Sequence, residues 1–523
     1  MRHRKMLRRK LLLGALAMPA VIAGGAHDQA QSVPDAAFLP TPFDTATVPS
    51  LARALAAQPH RPRNEKLPPF LAKLNYDGYR RLRFDRNRAL WREGGLPFQL
   101  QPHHPGFLFK DRVDLFEVAD GTATRLRYQA DAFTYDDKPL PDMPADPGFA
   151  GFRLLCPLNR PDHFDEVCSF LGASYFRALG RGHVYGLSAR GLAIGTADPA
   201  GEEFPAFTAF WIERPRPGDT HAVVHALLES ASLTGAYRFD ITPGEATVMM
   251  VLAILFPRRA VPRVGIAPAT SMFYFAPQDR GGIGDWRTAV HDSDGLLTRT
   301  GQGVQIWRPL SNPTDLQISG FQDENPQGFG LMQRARAFAD YDDLEAAYQR
   351  RPGLWAEPVD PWGPGEVTLV EIPTRSEIHD NIAAAWTPRG GLRPGAPTTL
   401  RYRLHWTGAE PGDTRLLRFA ATRVGSGPDQ PTRIVLDTTP PAGASPGTLA
   451  GTPHGTDASL PEAELWSSAG VIANPVVQPN PETGGLRLAF ELRPEAASVV
   501  ELRARLLRGG TAVSEQWAWR WTA

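Results

Sequence analysis

The sequence predicts an all-β protein, and two observations support that prediction. The 523 residues include 50 Pro and 49 Gly, so turns must be frequent and long helices few. Between these breakers lie short apolar or alternating runs, such as Ala-Thr-Val-Met-Met-Val-Leu-Ala-Ile-Leu-Phe at 246–256. Runs at such intervals are typical of a large β-sandwich or barrel.

Residues 1–30 have the composition of an export signal. Basic residues, among them the pair Arg8-Arg9, precede a modest apolar run from Leu11 to Ala23. This pattern resembles a twin-arginine signal and is too short for a stable bilayer span; the alternative is an uncleaved anchor. No later stretch has ~18 consecutive apolar residues, so we expect a periplasmic protein without stable membrane insertion.

After the signal, short helices are predicted at 48–57 and within 70–79, where the helix runs into a turn. Strands are then expected throughout. Apart from the run at 246–256, the clearest predicted strands are at 98–101, 113–118, 222–228, 303–307 and 382–386. Residues 334–350 are an exception, because they carry few breakers before Pro352-Gly353 and predict a helix.

Two domains are expected. A first β-sandwich domain spans 31–387, and the Pro/Gly-rich segment 388–397 forms a linker. Residues 398–523 begin with an alternating run at 399–406 and continue as strands and turns. About 125 residues of this kind fit an immunoglobulin-like β-sandwich.

Composition narrows the class of ligand. Lys+Arg and Asp+Glu both total 56, so the formal net charge is zero and no basic stripe indicates nucleic acid. A neutral ligand such as a sugar fits this balance.

The two cysteines, Cys156 and Cys168, form neither a zinc site nor a disulfide framework. We expect both to be buried free thiols, and no cofactor is indicated.

Two His-Asp stretches carry the candidate chemistry. His291-Asp292-Ser293-Asp294-Gly295 and His379-Asp380-Asn381 both lie beside predicted strands. Carboxylates at strand ends can hold a fixed separation, with one acting as acid and the other as base. Two alternatives stay open at this point. Asp and Asn are common turn formers, and Asp-x-Asp can hold Mg²⁺ or Ca²⁺.

Aromatic residues around these stretches can stack on sugar rings or can simply belong to the core. The set comprises Trp286, Trp307, Tyr341, Tyr348, Trp355, Trp362 and Trp386. From it we select Tyr341, Tyr348 and Trp355, together with Asp294, as substrate-binding candidates. Ser188 lies in a motif similar to a nucleophile elbow, Gly186-Leu-Ser-Ala-Arg-Gly, but glycine does not occupy both flanking positions and we expect a structural role.

The middle of the chain resembles the periplasmic glucan biosynthesis family, whose G and D members are named for osmoregulated periplasmic glucans. Its motifs include Leu-Trp-Arg-Glu-Gly-Gly-Leu-Pro-Phe-Gln-Leu, Val-His-Asp-Ser-Asp-Gly-Leu and Asp-Asn-Ile. The matching stretches are 90–100, 104–108, 158–162, 170–180, 185–194, 201–207, 265–268, 290–296, 324–331, 351–355, 371–374 and 380–382. The signal makes the chain look most like the D branch.

This resemblance implies a large, galactose-mutarotase-like β-sandwich joined to an immunoglobulin-like domain, and action on β-1,2-linked glucan. Family members resemble anomer-inverting glycoside hydrolases, and the motifs place the general acid on Asp380 and the base, through a water relay, on Asp292. Hydrolysis and transglycosylation to a cyclic glucan both remain open. The resemblance is also compatible with a homodimer. The competing functions are a non-catalytic glucan-binding or assembly factor and a metal-dependent sugar transferase.

Overall fold

The computed structural model describes residues 38–63, 67–140, 146–413, 415–426, 431–440 and 459–523. Strands make up 50% of the structure and helices 7%, which confirms the all-β prediction. The predicted export signal at 1–30 lies outside the described residues. Within them, no helix is both long and apolar enough to cross a bilayer.

Helices are few and short. The α-helices are Thr47–Ala56, Pro69–Ala72 and Tyr76–Arg80, and the 3₁₀ turns are Arg86–Arg88, Ala130–Ala132, Phe338–Asp340 and Tyr348–Arg350. The helices predicted at 48–57 and within 70–79 are therefore confirmed.

The first of two main sheets, called the large sheet below, contains 16 strands. In spatial order they are Thr41–Pro42, Thr122–Arg125, Asp114–Ala119, Ala206–Glu213, Ala222–Glu229, Leu233–Thr242, Thr247–Pro257, Thr398–Thr407, Gly353–Pro358, Gly328–Met332, Gly295–Arg299, Gln305–Pro309, Gln516–Thr522, Val499–Arg508 and Glu462–Ser467, with Thr511–Ala512 beside Val499–Arg508.

The other main sheet, called the second sheet, contains 10 strands. In order they are Gln317–Glu324, Pro364–Glu371, Ile382–Pro388, Val264–Ser271, Ser188–Arg190, Tyr175–Ala178, His163–Leu171, Gly151–Arg160 and Gln99–His103, with Ala193–Ile194 beside Val264–Ser271. One smaller sheet pairs Phe273–Phe275 with Val290–His291. In the other, the middle strand Phe133–Tyr135 pairs with Leu82–Phe84 and with Lys138–Pro139.

The two main sheets pack face to face and form the first sandwich. Aromatic rings pack between them. The ring centroid of Phe239 in the large sheet lies 5.2 Å from those of Phe170 and Phe176 in the second sheet. All three side chains are almost completely buried. Burial of such large apolar surfaces is the main force that holds the layers together.

The C-terminal sandwich has its own core. Its separate sheet, in the order Arg418–Gly425, Thr432–Thr439, Gly485–Arg493 and Val471–Asn480, faces the last strands of the large sheet. Strand Gln516–Thr522 pairs in parallel with Gln305–Pro309 of the first sandwich, so the two sandwiches share one sheet.

The predicted boundary at 388–397 is wrong in one respect. Strand Thr398–Thr407 pairs with Thr247–Pro257 and Gly353–Pro358 inside the first sandwich, not within the C-terminal one. The Pro/Gly segment therefore carries the chain from the second sheet to the large sheet across a single core. It is also anchored, because Leu392 and Val261 exchange two backbone hydrogen bonds of 2.9 Å.

The helix predicted at 334–350 is also wrong. Only two 3₁₀ turns form there, and Asp342 and Ala347 have positive φ angles of 56° and 45°, which an α-helix does not accommodate. Tertiary contacts override the local preference, because Tyr341 and Tyr348 turn inward and are completely buried.

Cys156 and Cys168 are buried free thiols, as predicted. Burial raises the pKa of Cys156 to about 12 and raises that of Cys168 further. Neither thiol is therefore a ready nucleophile.

Candidate active site

The floor of the candidate site is the face of the second sheet that points away from the core. Residues that pair in turn across four neighbouring strands on this face are Gln101, Arg153, Ser169 and Arg177. Since side chains alternate along a strand, these polar groups share one face. Phe170 and Phe176, whose rings stack 5.1 Å apart, occupy the opposite, core face.

Arg190 is a fixed cation on this floor. It pairs with Tyr175 across two strands, and its guanidinium lies 4.6 Å from the centroid of the tyrosine ring. Its Nε donates to Thr270 Oγ1 at 3.0 Å, and its Nη1 donates to Glu202 Oε1 at 2.6 Å. Burial first, and then the charge of Asp380 among others, raises the pKa of Tyr175 to about 12.

Asp380 lies just before strand Ile382–Pro388 and is partly buried. The next residue, Asn381, fixes the backbone there: it accepts from Phe273 N at 2.8 Å and donates to Phe273 O and Ile372 O at 2.9 Å. Burial raises the pKa of Asp380 to about 6, and the negative charge of Asp292 adds to the rise.

Three arginines oppose this rise in the pKa of Asp380, namely Arg177, Arg190 and Arg351. Their charges and that of Asp292 act on the same carboxyl, so both predicted carboxylates belong to one electrostatic site. The net effect of burial and these charges is a raised pKa for Asp380. Its role as general acid stays a prediction. A carboxyl with a pKa of about 6 still holds its proton in part of the molecules near neutral pH.

Asp292 is held by Arg351, whose Nη1 donates to its carboxylate. The same guanidinium donates to Ala346 O at 3.1 Å and lies 4.3 Å from the centroid of the Tyr348 ring. Asp292 is only 5% exposed. The ion pair with Arg351 compensates for the water that the Asp292 carboxylate loses on burial.

Gly186 makes room for Arg351. A Cβ added to this glycine would lie 2.9 Å from Arg351 Cβ, which is closer than such atoms approach. The glycine that resembled part of a nucleophile elbow therefore has a packing role. Ser188 is buried in strand Ser188–Arg190, in agreement with the structural role expected for it.

Arg287 ties together the loops that carry the two carboxylates. It donates to Asp285 in its own loop at 2.8 Å, to Asp343 at 3.0 Å and to Glu377 at 2.7 Å. Glu377 precedes Asp380 by three residues, and Arg287 precedes Asp292 by five. One guanidinium thus fixes the relative position of both segments.

Asp294 shapes the loop beside Asp292. Its Oδ2 accepts from the backbone N–H groups of Arg334 and Ala335, the second at 2.7 Å. Its Oδ1 lies 3.3 Å from Nε2 of His291. Contact with a substrate stays a prediction for Asp294, since both oxygens already have partners in the protein.

The three aromatic residues predicted to bind substrate do not fit sugar stacking. Tyr341 and Tyr348 are completely buried, and Trp355 is 4% exposed. Tyr341 packs 5.1 Å from the His291 ring, and Trp355 belongs to the core of the C-terminal sandwich. Tyr341 and Tyr348 support the site from behind through His291 and Arg351, whereas Trp286 is 73% exposed.

The metal interpretation gains no support from the geometry. Within the described ranges, no group of three or more His, Cys, Asp or Glu residues is arranged to hold a metal ion. Asp294, which would be half of an Asp-x-Asp site, is engaged by backbone N–H groups.

Sequence reasoning missed the residues that surround Asp380, namely Tyr175, Arg177, Arg190 and Arg351. A signal was available for two of them. Partly buried and buried side chains alternate along strand Tyr175–Ala178, so Tyr175 and Arg177 point to the face opposite the buried Phe176. The partnership of Arg351 with Asp292 joins positions 59 residues apart and has no local signature.

Comparison with known proteins identifies the family. A family model described as periplasmic glucan biosynthesis protein, MdoG, matches residues 43–521. The chain belongs to this family. Two relatives from strains of Rhodopseudomonas palustris, both called glucans biosynthesis protein G, are 48% and 50% identical over 518 and 522 residues. In each case the match covers 99% of this chain and 100% of the relative.

A relative of the same name from Vibrio cholerae is 48% identical over 484 residues, which cover 92% of this chain and 87% of the relative. The MdoG family resemblance inferred from the motifs is thereby confirmed. These relatives carry the name of the G protein, so assignment of the chain to the D branch stays a prediction.

Proposed function

We propose that this MdoG-family chain is an enzyme that acts on β-1,2-linked glucan with inversion at the anomeric carbon. Asp380 is the general acid and Asp292 the general base. The observation that carries the proposal is the electrostatic pairing of the two carboxyls, in which Asp380 has a pKa raised to about 6 beside Asp292. A carboxyl that can hold a proton, placed with a second carboxyl in one site, is what acid–base cleavage of a glycosidic bond requires.

The acid step uses the proton of Asp380. As the bond between the anomeric carbon and the glycosidic oxygen breaks, the proton passes to that oxygen, which leaves as a hydroxyl group. Arg177 and Arg190 then lie near the carboxylate that has formed, and their charges stabilise it. The ion pair of Arg190 with Glu202 keeps its guanidinium in place without help from substrate.

The base step uses Asp292. An oxygen nucleophile attacks the anomeric carbon from the opposite face, and its proton reaches the Asp292 carboxylate through a relay of water or sugar hydroxyls. If the nucleophile is water, the product is a shorter glucan. If it is a hydroxyl of the same chain, the product is a ring and no water is consumed. After release, Asp292 returns its proton to solvent and Asp380 takes one up.

One observation favours a second candidate, a non-catalytic glucan-binding or assembly factor. Asp292 is 5% exposed and its carboxylate is already paired with Arg351, which limits the access of a nucleophile to it. In this alternative the polar floor and the arginines bind glucan hydroxyls without cleaving the chain.

Incubation of the purified chain with linear β-1,2-glucan separates the two functions. New reducing ends identify hydrolysis, and a cyclic product one water lighter than its linear counterpart identifies transglycosylation. A bound but unchanged polymer establishes the binding factor. Loss of turnover with a chelator would instead favour the metal-dependent transferase.

We further propose a periplasmic location reached through the Arg8-Arg9 signal. The family description and the composition of residues 1–30 support this. Replacement of both arginines by lysine should leave the protein inside the cell, whereas normal periplasmic amounts of that variant would refute twin-arginine export.

A further inference from the structure

A second groove lies where the C-terminal sandwich joins the large sheet. It encloses about 430 Å³, within the roughly 300–1,000 Å³ of ordinary small-molecule sites. None of the residues that surround Asp380 and Asp292 lines it. We call it the junction groove and define it by Thr298, Ser319, Phe321, Trp466, Arg503 and Gln516.

The floor of the junction groove is one face of the large sheet. Ile306 pairs with both Thr298 and Gln516, so these three side chains share a face. Arg503 pairs with both Ala518 and Trp466, and Ala518 follows Gln516 by two positions. The row of side chains is therefore continuous from the first sandwich to the last edge strand of the C-terminal one.

The wall of the groove is strand Gln317–Glu324, which is the outermost strand of the second sheet. It contributes Ser319 and the partly buried ring of Phe321. Arg520 of the C-terminal sandwich donates to Ile318 O at 3.3 Å and so closes one end between wall and floor. The groove thus exists only because the two sandwiches are docked.

Unpaired polar atoms occur on both sides of the groove. Thr298 and Ser319 are 4% and 7% exposed, and neither hydroxyl has a hydrogen-bond partner among the residues that the structure describes. Arg299 also lines the groove, and its Nε has no hydrogen-bond partner among the described residues. Buried polar groups are normally paired, so these lining residues have unused hydrogen-bonding capacity that ligand hydroxyl groups can fill.

The aromatic and charged residues specify the class of that ligand. Trp466 is 47% exposed, and the Arg503 guanidinium lies 4.9 Å from its ring centroid. Two other lining arginines are neutralised within the protein, Arg520 by Glu501 at 2.6 Å and Arg308 by Glu371 at 3.1 Å. A neutral ligand with many hydroxyls and an apolar ring face fits this surface better than a polyanion.

We propose that the junction groove is a non-catalytic carbohydrate site that holds a segment of the glucan chain. The choice of β-1,2-linked glucan as the carbohydrate rests on the proposed function, whereas the groove itself does not. By retaining one part of a long chain, the groove raises the concentration of the remainder around the enzyme. Long chains should gain from this second contact and short ones should not.

The test compares binding of linear β-1,2-glucan to full chains that carry Asp380→Asn, which should slow turnover by about 10²–10⁴. Adding Trp466→Ala should weaken calorimetric binding of long glucan about tenfold. Adding Thr298→Val should weaken binding without lowering the melting temperature, because it removes an unpaired hydroxyl and keeps the shape. Arg505→Ala is the matched control, since Arg505 lies in the same strand but pairs with Glu464 outside the groove.

Unchanged affinity in both groove variants would overturn the proposal, as would binding of inorganic phosphate, rather than glucan, that depends on Arg503. Failure of the proposed function has a different outcome. A wild-type protein that leaves glucan intact but binds it through Trp466 refutes the enzyme and supports the groove. Turnover of long glucan with the same KM in wild type, Trp466→Ala and Thr298→Val refutes the groove and supports the enzyme.

Discussion

Asp380→Asn should stabilise the folded protein, although it removes the proposed acid. The pKa of Asp380 is raised from 3.8 to about 6 in the folded state, chiefly by burial. Between these values the folded protein holds a proton that the unfolded chain has lost, so stability falls as pH rises through this window. Above about pH 6 the full cost of the buried charge is present, and Asn carries no such charge.

The size of the effect follows from the shift. A difference of about 2 pKa units corresponds to ~3 kcal/mol at about 1.36 kcal/mol per unit. Near pH 4.5 the same linkage leaves only about 1 kcal/mol, because Asp380 is then protonated in the folded protein. For 523 residues at about 2.1 cal/mol/K each, the unfolding entropy is ~1.1 kcal/mol/K, so the melting temperature should rise by about 3 °C near pH 8.

Scanning calorimetry of Asp380→Asn at the two pH values measures this directly. Asp315→Asn is the control, because Asp315 is exposed and the same change of charge should leave the melting temperature unaltered. An Asp380→Asn protein that melts at or below the wild-type temperature near pH 8 would contradict the raised pKa.

Two further predictions concern the charges and contacts around the carboxylates. Arg177→Gln removes a charge that lowers the pKa of Asp380, so the basic limb of the kcat profile should move up by about one pH unit, whereas the exposed Arg181→Gln should leave it in place. A limb that does not move would show that another group titrates. Gly186→Ala should displace Arg351 and lower kcat about tenfold or more, while overpacking lowers the free energy of unfolding by only about 1–3 kcal/mol; unaltered kcat would mean that the contact does not position the site.

Much of the fold was encoded locally and was therefore predictable. The run at 246–256 became strand Thr247–Pro257, because alternating burial in a sheet leaves a direct pattern in sequence. The two Asp-containing stretches were also evident, since each adjoins a strand with its own pattern. Strand Val471–Asn480 was missed because it is a mostly exposed edge strand that contains two prolines.

The rest depended on contacts between distant parts of the chain. A Pro/Gly segment such as 388–397 looks the same whether it separates two domains or carries the chain between two sheets of one core. The helix predicted at 334–350 failed because burial of Tyr341 and Tyr348 outweighed local preference. The ion pair of Asp292 with Arg351 depends on the same rearranged segment, so no local pattern could show it.

Turnover of linear β-1,2-glucan by Asp380→Asn tests whether Asp380 delivers a proton to the leaving glucan oxygen. Asn keeps the shape of the side chain but cannot donate that proton, so kcat should fall by about 10²–10⁴ while glucan binding survives. Asp292→Asn should be similarly impaired, and Asp294→Asn less so if that residue only shapes its loop. Near-normal turnover by Asp380→Asn would contradict the account.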